Sequence, residues 1–281
     1  MGALVAIFQN DPNLMRCQLA RLGSLVSLGD PDRLPDAYGF GYFTTGDVLL
    51  GKRPSGAPAQ LTVAQLVGEV DTDVLVAHAR YSALDNHKDE NTQPFRFHRW
   101  LFAHDGAIEG FAEVKPRLLE LLPDFLRRAI EGQTPAEHAF MVFLKFLRDE
   151  GRLDDLDLEA EAAGEALART VRQIDAWSRE VGAQKSSLNF VATNGRILAA
   201  TRRGRPLSYA LLEGIVPCAL HGVASGSPDT EAPVRPHRQV KAVCFASRLL
   251  APNGFREVPE SSAVSVSRDL RVSVRTIAAH G

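Results

Sequence analysis

The sequence predicts an α+β fold in which sheets are covered by helices, and three observations carry that prediction. Apolar runs of strand length crowd the first part of the chain and return from Leu188 onward. The stretch between them reads with helical periodicity. Asn194-Gly195, set between two apolar runs, is a strong hairpin signal.

Taken in order, residues 3–8 form a continuous apolar run that predicts a buried central strand. Asp11-Pro12 offers a capping acid and a first-turn proline. Leu14, Cys17, Leu22, Leu25 and Val26 then continue an apolar face, so a helix is expected to about Leu28. Residues 36–43 read as an aromatic strand with glycines at 39 and 41, Val48–Lys52 as its hairpin return, and residues 62–69 as a short helix. Asp73–His78 is the next strand. Trp100–His104 is another, expected to close at the turn pair Asp105-Gly106. Arg80 and Asp105 should therefore lie just past neighbouring strand ends, where polar sites are commonly built. On residue types alone they are an ion-paired loop residue and an ordinary turn.

Two helical segments broken at Pro123 follow Gly110. Thr134-Pro135-Ala136-Glu137 then carries the cap, first-turn proline and first-turn acid of a helix reaching Glu150. After an acidic connector at 151–158, a long amphipathic helix is expected from Glu159 to Val181, with Leu167, Val171, Ile174 and Trp177 inward. The hairpin across Asn194-Gly195, Ser208–Leu212, Val240–Phe245, and two closing strands around Arg268-Asp269 complete the sheets. Residues 228–239, rich in proline and charge, read as a loop.

Composition narrows the function classes. Lys and Arg number 32 against 34 Asp and Glu, a formal charge of -2, so there is no electrostatic case for nucleic acid. The basic clusters Arg202–Arg205 and Arg235–Lys241 read as solvated loops. Cys17, Cys218 and Cys244 are sparse and unpatterned. No metal spacing, disulfide framework or cofactor is expected from them, and each reads as a buried or ordinary thiol. No apolar run is long enough for a membrane span, and the start lacks a basic leader and cleavage site, so a cytoplasmic protein is expected.

Three short motifs sit in order within one stretch: His78-Ala79-Arg80-Tyr81-Ser82, Asn91-Thr92-Gln93-Pro94-Phe95 and His104-Asp105-Gly106. Together they resemble the class II glutamine amidotransferases, which are N-terminal-nucleophile hydrolases, and especially the stand-alone branch that includes a gamma-glutamyl amide hydrolase of ergothioneine synthesis. That family has a His-x-Arg-x-(Ala/Ser) strand end, an Asn-x-x-Pro-Phe loop and a His-Asn-Gly turn. Further similarity runs through residues 36–41, Gly132–Glu137, Thr201-Arg202, Ala224-Ser225 and Phe255–Pro259. The resemblance implies a four-layer αββα sandwich of the N-terminal-nucleophile hydrolase type, one domain over residues 1–281. It also implies that Arg80, Tyr81, Ser82, His104 and Pro135 lie at the ligand site, with Arg80 gripping a substrate α-carboxylate.

Departures from the family pattern fall on its chemistry. Its members begin Met-Cys, and the freed cysteine is both nucleophile and, through its amine, its own base; here Gly2 stands at that position. The oxyanion-hole Asn of the His-Asn-Gly turn is Asp105, beside Gly106. An ionised carboxylate donates no hydrogen bond and would repel a developing oxyanion. The acid that pairs with the substrate ammonium is replaced by Pro135, and the acid after Ala224-Ser225 by Gly226. No catalytic residue is intact, and a catalytically degenerate amidotransferase-like protein is expected: a binding, regulatory or partner subunit, with a glutamine-like or gamma-glutamyl carboxylate as ligand and a protein partner enzyme as the other candidate. Two alternatives stand beside it. One is an active amidotransferase or gamma-glutamyl amide hydrolase in which Gly2 has replaced a native cysteine. The other is a hydrolase using Ser82, Cys218 or Ser225, none with a histidine at meaningful spacing. Arg80 is expected to neutralise Asp105 across the neighbouring strand ends.

Overall fold

The computed structural model of the protein describes residues 2–30, 35–45, 47–53, 70–81, 88–214 and 217–278. Ser82 and the helix expected at 62–69 lie outside the described residues.

Two antiparallel sheets form the centre. One has seven strands in the order β11 (Arg256–Glu257), β9 (Ser208–Leu212), β10 (Ala242–Ala246), β1 (Gly2–Gln9), β4 (Val74–Arg80), β2 (Ala37–Phe43) and β3 (Val48–Arg53). The other has six, in the order β13 (Val272–Thr276), β12 (Ser262–Val266), β8 (Leu198–Arg202), β7 (Ser187–Thr193), β6 (Trp100–Ala107) and β5 (Phe95–Phe97). The helices are α1 (Met15–Leu22), α2 (Phe111–Leu121), α3 (Asp124–Arg128), α4 (Pro135–Asp149), α5 (Ala160–Glu180) and α6 (Val234–Gln239). No helix among the described residues is long and apolar enough to cross a membrane.

Side-chain alternation along the strands builds the layers. Leu4, Ala6 and Phe8 of β1 and Val74 and Val76 of β4 pack between the sheets against Leu101, Ala103, Val191 and Val264. Their odd-numbered neighbours Ala3, Val5, Ile7, Leu75 and Ala77 turn outward onto Met15, Leu19 and Leu22 of α1. Burial on both faces is why residues 3–8 read as an unbroken apolar run. The outer face of the second sheet presents Phe102 and Phe190 to Val114 of α2, Phe140 and Phe143 of α4 and Val171 and Ile174 of α5. Each such large side chain withdrawn from water contributes about 1.5–3 kcal/mol. The result is the αββα sandwich.

Helix boundaries follow their caps. Thr134 accepts from the Glu137 N–H and Pro135 opens α4. Asp11 accepts from the Asn13 N–H, but the first turn is 3-10 and α1 stops at Leu22 instead of near Leu28. Three expectations are corrected. Asp105-Gly106 is not a turn: β6 runs through it to Ala107, because the β7 backbone offers Asn189 and Leu188 as pairing partners. Residues 234–239 form α6, since prolines at 233 and 236 fall at and just inside its start, where a missing N–H costs nothing. Ala224-Ser225-Gly226 lies in exposed turns; the Ala-Ser step at a strand end next to β1 is Ala246-Ser247.

Candidate functional site

The alternation that buries Leu4 and Val76 between the sheets also points Gly2, His78 and Arg80 into the same gap, at its polar end. Gly2 pairs with Arg80 in the β1–β4 ladder, and Ala37 of β2 flanks Arg80 on the other side. From the second sheet, Asp105 follows Leu101 and Ala103 on the inward face of β6, paired with Asn189 of β7.

Gly2 is packed tightly. A Cβ at this position would lie 2.7 Å from His78 Nε2, 3.0 Å from Asp105 Oδ1 and 3.2 Å from the Ala79 carbonyl oxygen. His78 is 3% exposed, and burial, with His104 and Arg80 nearby, drives its pKa down to about 3. It is therefore a neutral ring, held by packing and by a hydrogen bond to the His104 backbone.

Asp105 is 2% exposed. Its Oδ1 accepts from Arg205 at 3.1 Å, and the Ser247 hydroxyl and the Gly2 N–H also donate to the carboxylate. Burial raises its pKa, against the pull of Arg205 and these donors. Arg205, not Arg80, is the ion-pair partner, which corrects the expected Arg80–Asp105 pairing. Arg205 belongs to a basic cluster read from sequence as solvated. Asn189 instead holds the whole turn, donating to the Arg205 and Pro206 carbonyls and accepting from the Arg203 N–H. Ser247 completes the corner: its hydroxyl accepts from the Leu4 N–H and its own N–H donates to the Leu4 carbonyl.

The remaining expected site residues divide. Arg80 donates to the Asn91 carbonyl at 3.4 Å and feels the Asp36 carboxylate. The Asn91 side chain in turn accepts from the Gln133 N–H, so the Arg80 loop and the start of α4 are tied together. At that start, Glu137 accepts from the Glu131 and Gly132 N–H groups. A cavity of about 360 Å³ is lined there by Lys52, Glu90, Glu131 and Glu137. Pro135 serves as the first residue of α4. Tyr81 turns the other way, into the α1 core, where its hydroxyl bonds the Leu28 carbonyl and Arg248 stacks on its ring at 5.5 Å. His104 faces the helical layer against Phe190, with Nε2 2.9 Å from the Ser187 carbonyl and a pKa pushed by burial to about 4. Its backbone is clasped by Gln93, whose amide bonds both the His104 N–H and carbonyl. Gly106 is required where it sits, since a Cβ would come 2.0 Å from the Ser187 carbonyl oxygen.

The three cysteines are free and buried, as expected, but two of them meet. Cys17 and Cys218 are not isolated thiols: their sulfurs lie 3.3 Å apart, and His221 Nδ1 is 3.4 Å from each. Only Cys218-x-x-His221 was visible locally; the rest depends on the fold.

Comparison with known proteins agrees with this architecture. The family model described as glutamine amidotransferases class-II matches residues 1–216. A probable glutamine amidotransferase of Saccharomyces cerevisiae, DUG3, is 29% identical over 181 residues, which are 59% of this chain and 51% of that protein. The chain thus spans about half the length of this curated relative. A predicted glutamine amidotransferase from Pseudomonas aeruginosa superposes with a TM-score of 0.57 at 18% identity, covering 96% of this chain and 98% of that one. A class-II domain protein from Silicibacter pomeroyi gives 0.56 at 15%, covering 98% of both chains. Glutamine phosphoribosylpyrophosphate amidotransferase from B. subtilis gives 0.52 at 13%, covering 99% of this chain and 50% of that one.

Proposed function

Since the chain belongs to the class II glutamine amidotransferase family, we propose that it is a catalytically degenerate member: it does not hydrolyse glutamine and keeps the scaffold for binding. One observation carries the proposal. The space into which a side chain at position 2 would project is taken by the His78 ring and the Asp105 carboxylate. A cysteine at this position would require the buried His78 ring to shift.

The surroundings support the same reading. In the family a developing oxyanion needs donors at the position held here by Asp105, and preorganised donors are commonly the largest single contribution to such a reaction. Asp105 accepts there instead, matched by Arg205 and Ser247. At the start of α4, where the resemblance implies a carboxylate for the substrate ammonium, Pro135 has none, and the nearby Glu137 is spent on two backbone N–H groups.

Arg80 keeps its place on β4 opposite Gly2, and Asp105 has its own guanidinium partner. From its place in the family motif we assign Arg80 as the anchor for a glutamine-like or gamma-glutamyl carboxylate, bound without turnover. The test is ammonia release from millimolar glutamine by the purified protein. The expected result is the rate of the protein-free control. Release well above control, abolished in a folded Arg80→Ala variant, would overturn the proposal.

A further inference from the structure

At the opposite end of β1, three segments distant in sequence converge. Cys17 comes from α1, Cys218 and His221 from a tight turn closed by reciprocal Cys218–Val223 backbone bonds, and His237 from α6. One donor atom from each lies within 4.8 Å of all the others, a grouping found among the described residues at this one place. We infer that Cys17, Cys218, His221 and His237 bind one divalent transition-metal ion, Zn²⁺, as a closed structural site.

The separations suit a tetrahedron. Metal–sulfur bonds of about 2.3 Å and metal–nitrogen bonds of about 2.0–2.1 Å put neighbouring ligand atoms roughly 3.3–3.8 Å apart. Both sulfur–His221 distances are 3.4 Å, close to that range, and the sulfurs, 3.3 Å apart, need to part by about 0.5 Å to reach the ~3.8 Å of two thiolates on one ion. A disulfide would need about 2.05 Å.

His237 supplies an independent observation. The residue is 1% exposed, and its Nδ1 lies 2.7 Å from the Pro233 carbonyl oxygen, which fixes the proton on Nδ1. Nε2 is left as a bare acceptor, buried and with no hydrogen-bond partner. Leaving such an atom unsatisfied is costly. A metal-ligating histidine commonly has this arrangement, one nitrogen on the ion and the other held by a backbone carbonyl.

The chemistry of the set selects the ion. Two thiolates and two imidazoles in tetrahedral array favour zinc over the hard, oxygen-seeking cations. Binding releases the two thiol protons, and two thiolates around a divalent ion make a neutral unit. Neutrality fits the apolar shell of Leu14, Val223, Val234 and Val240. With four protein ligands no position is open for a reacting water, so the role is to staple the 217–239 region onto α1. The location agrees: α6 leads into β10, whose Ala242 pairs with Gln9, roughly 20 Å along β1 from Gly2. The inference stands independently of the proposed function.

The test is the metal content of the full-length wild-type protein, purified under reducing conditions without chelator or nickel resin, followed by Co²⁺ titration after the native metal is stripped. The expected result is about one zinc per chain. Co²⁺ should then saturate at one equivalent with thiolate charge-transfer and tetrahedral ligand-field bands. Cys218→Ser and His237→Ala should each bind at least about tenfold more weakly, since loss of outer-shell partners alone costs about that much. Wild-type protein that neither carries zinc nor takes up stoichiometric Co²⁺ would overturn the inference. So would a Cys17–Cys218 disulfide in protein alkylated under denaturing, non-reducing conditions. Both decisive readings are on the wild type, so a variant that fails to fold leaves the question answered.

Discussion

The two ends of β1 arrange their buried polar groups in opposite ways. At the Gly2 end, the family's nucleophile position is empty of side chain, and the polar groups around it satisfy one another: Asp105 with Arg205, Ser247 and the Gly2 N–H. At the Gln9 end, the donors satisfy one another only in part. Two sulfurs and His221 crowd together, and His237 Nε2 has no partner at all. A buried cluster that closes on itself is what the proposed loss of turnover requires. One left open toward a common point implies that something fills it.

The comparison breaks first if Asp105 is not closed off as described. Arg205→Ala should cost about 3–5 kcal/mol in urea unfolding, because it strands a carboxylate that is 2% exposed. Adding Asp105→Asn should recover much of that loss, and equal losses in single and double variants would show that the pair is not coupled. Next in size is crowding at position 2. Gly2→Ala should destabilise by about 1–3 kcal/mol through overpacking against His78; a neutral effect would mean the ring yields freely.

The pH response takes its sign from the histidines. His78 and His104 are neutral in the folded protein, with pKa values near 3 and 4, while unfolded histidine titrates near its ordinary value. The unfolded chain therefore binds more protons below about pH 6.5, and stability falls as pH falls toward 4, by about 1.4 kcal/mol per unit for each histidine. Asp105 and Glu137, raised by burial, act in the other direction, losing stability as pH rises through their folded values. His104→Gln should flatten the acid slope measured by denaturation between pH 6.5 and 4.5; an unchanged slope would contradict a neutral buried His104. The smallest effect is ligand binding at Arg80. Glutamine at about ten times its Kd should add about 1.4 kcal/mol, a rise of a few degrees in Tm. The rise should vanish in Arg80→Ala, and no rise in the wild type would remove the carboxylate assignment.

The fold was largely legible because its periods are local. The apolar run at residues 3–8, the Asn194-Gly195 hairpin and the Thr134-Pro135 cap each carry their structure within a few residues. The long helix expected at 159–181 is α5, bounded by Glu159 and Val181. What was misread depends on distant partners. Asp105-Gly106 has turn chemistry, yet the close Ser187 backbone turns it into strand. Arg205 lies 100 residues from Asp105, and no local pattern links them. Cys17 and Cys218 are 201 residues apart; the short Cys218-x-x-His221 spacing was the one available hint. Tyr81 was grouped with Arg80 by adjacency, but successive strand residues face opposite layers.

The central claim is that the Gly2 end is closed to chemistry, and ammonia release from glutamine by Gly2→Cys, with methionine removal verified by intact mass, tests it most directly. The account predicts that Gly2→Cys stays at the protein-free rate, and that Gly2→Cys with Asp105→Asn exceeds the single variant by about 100–1000-fold once an oxyanion donor is restored. A single Gly2→Cys variant that turns over glutamine as fast as the double would contradict it.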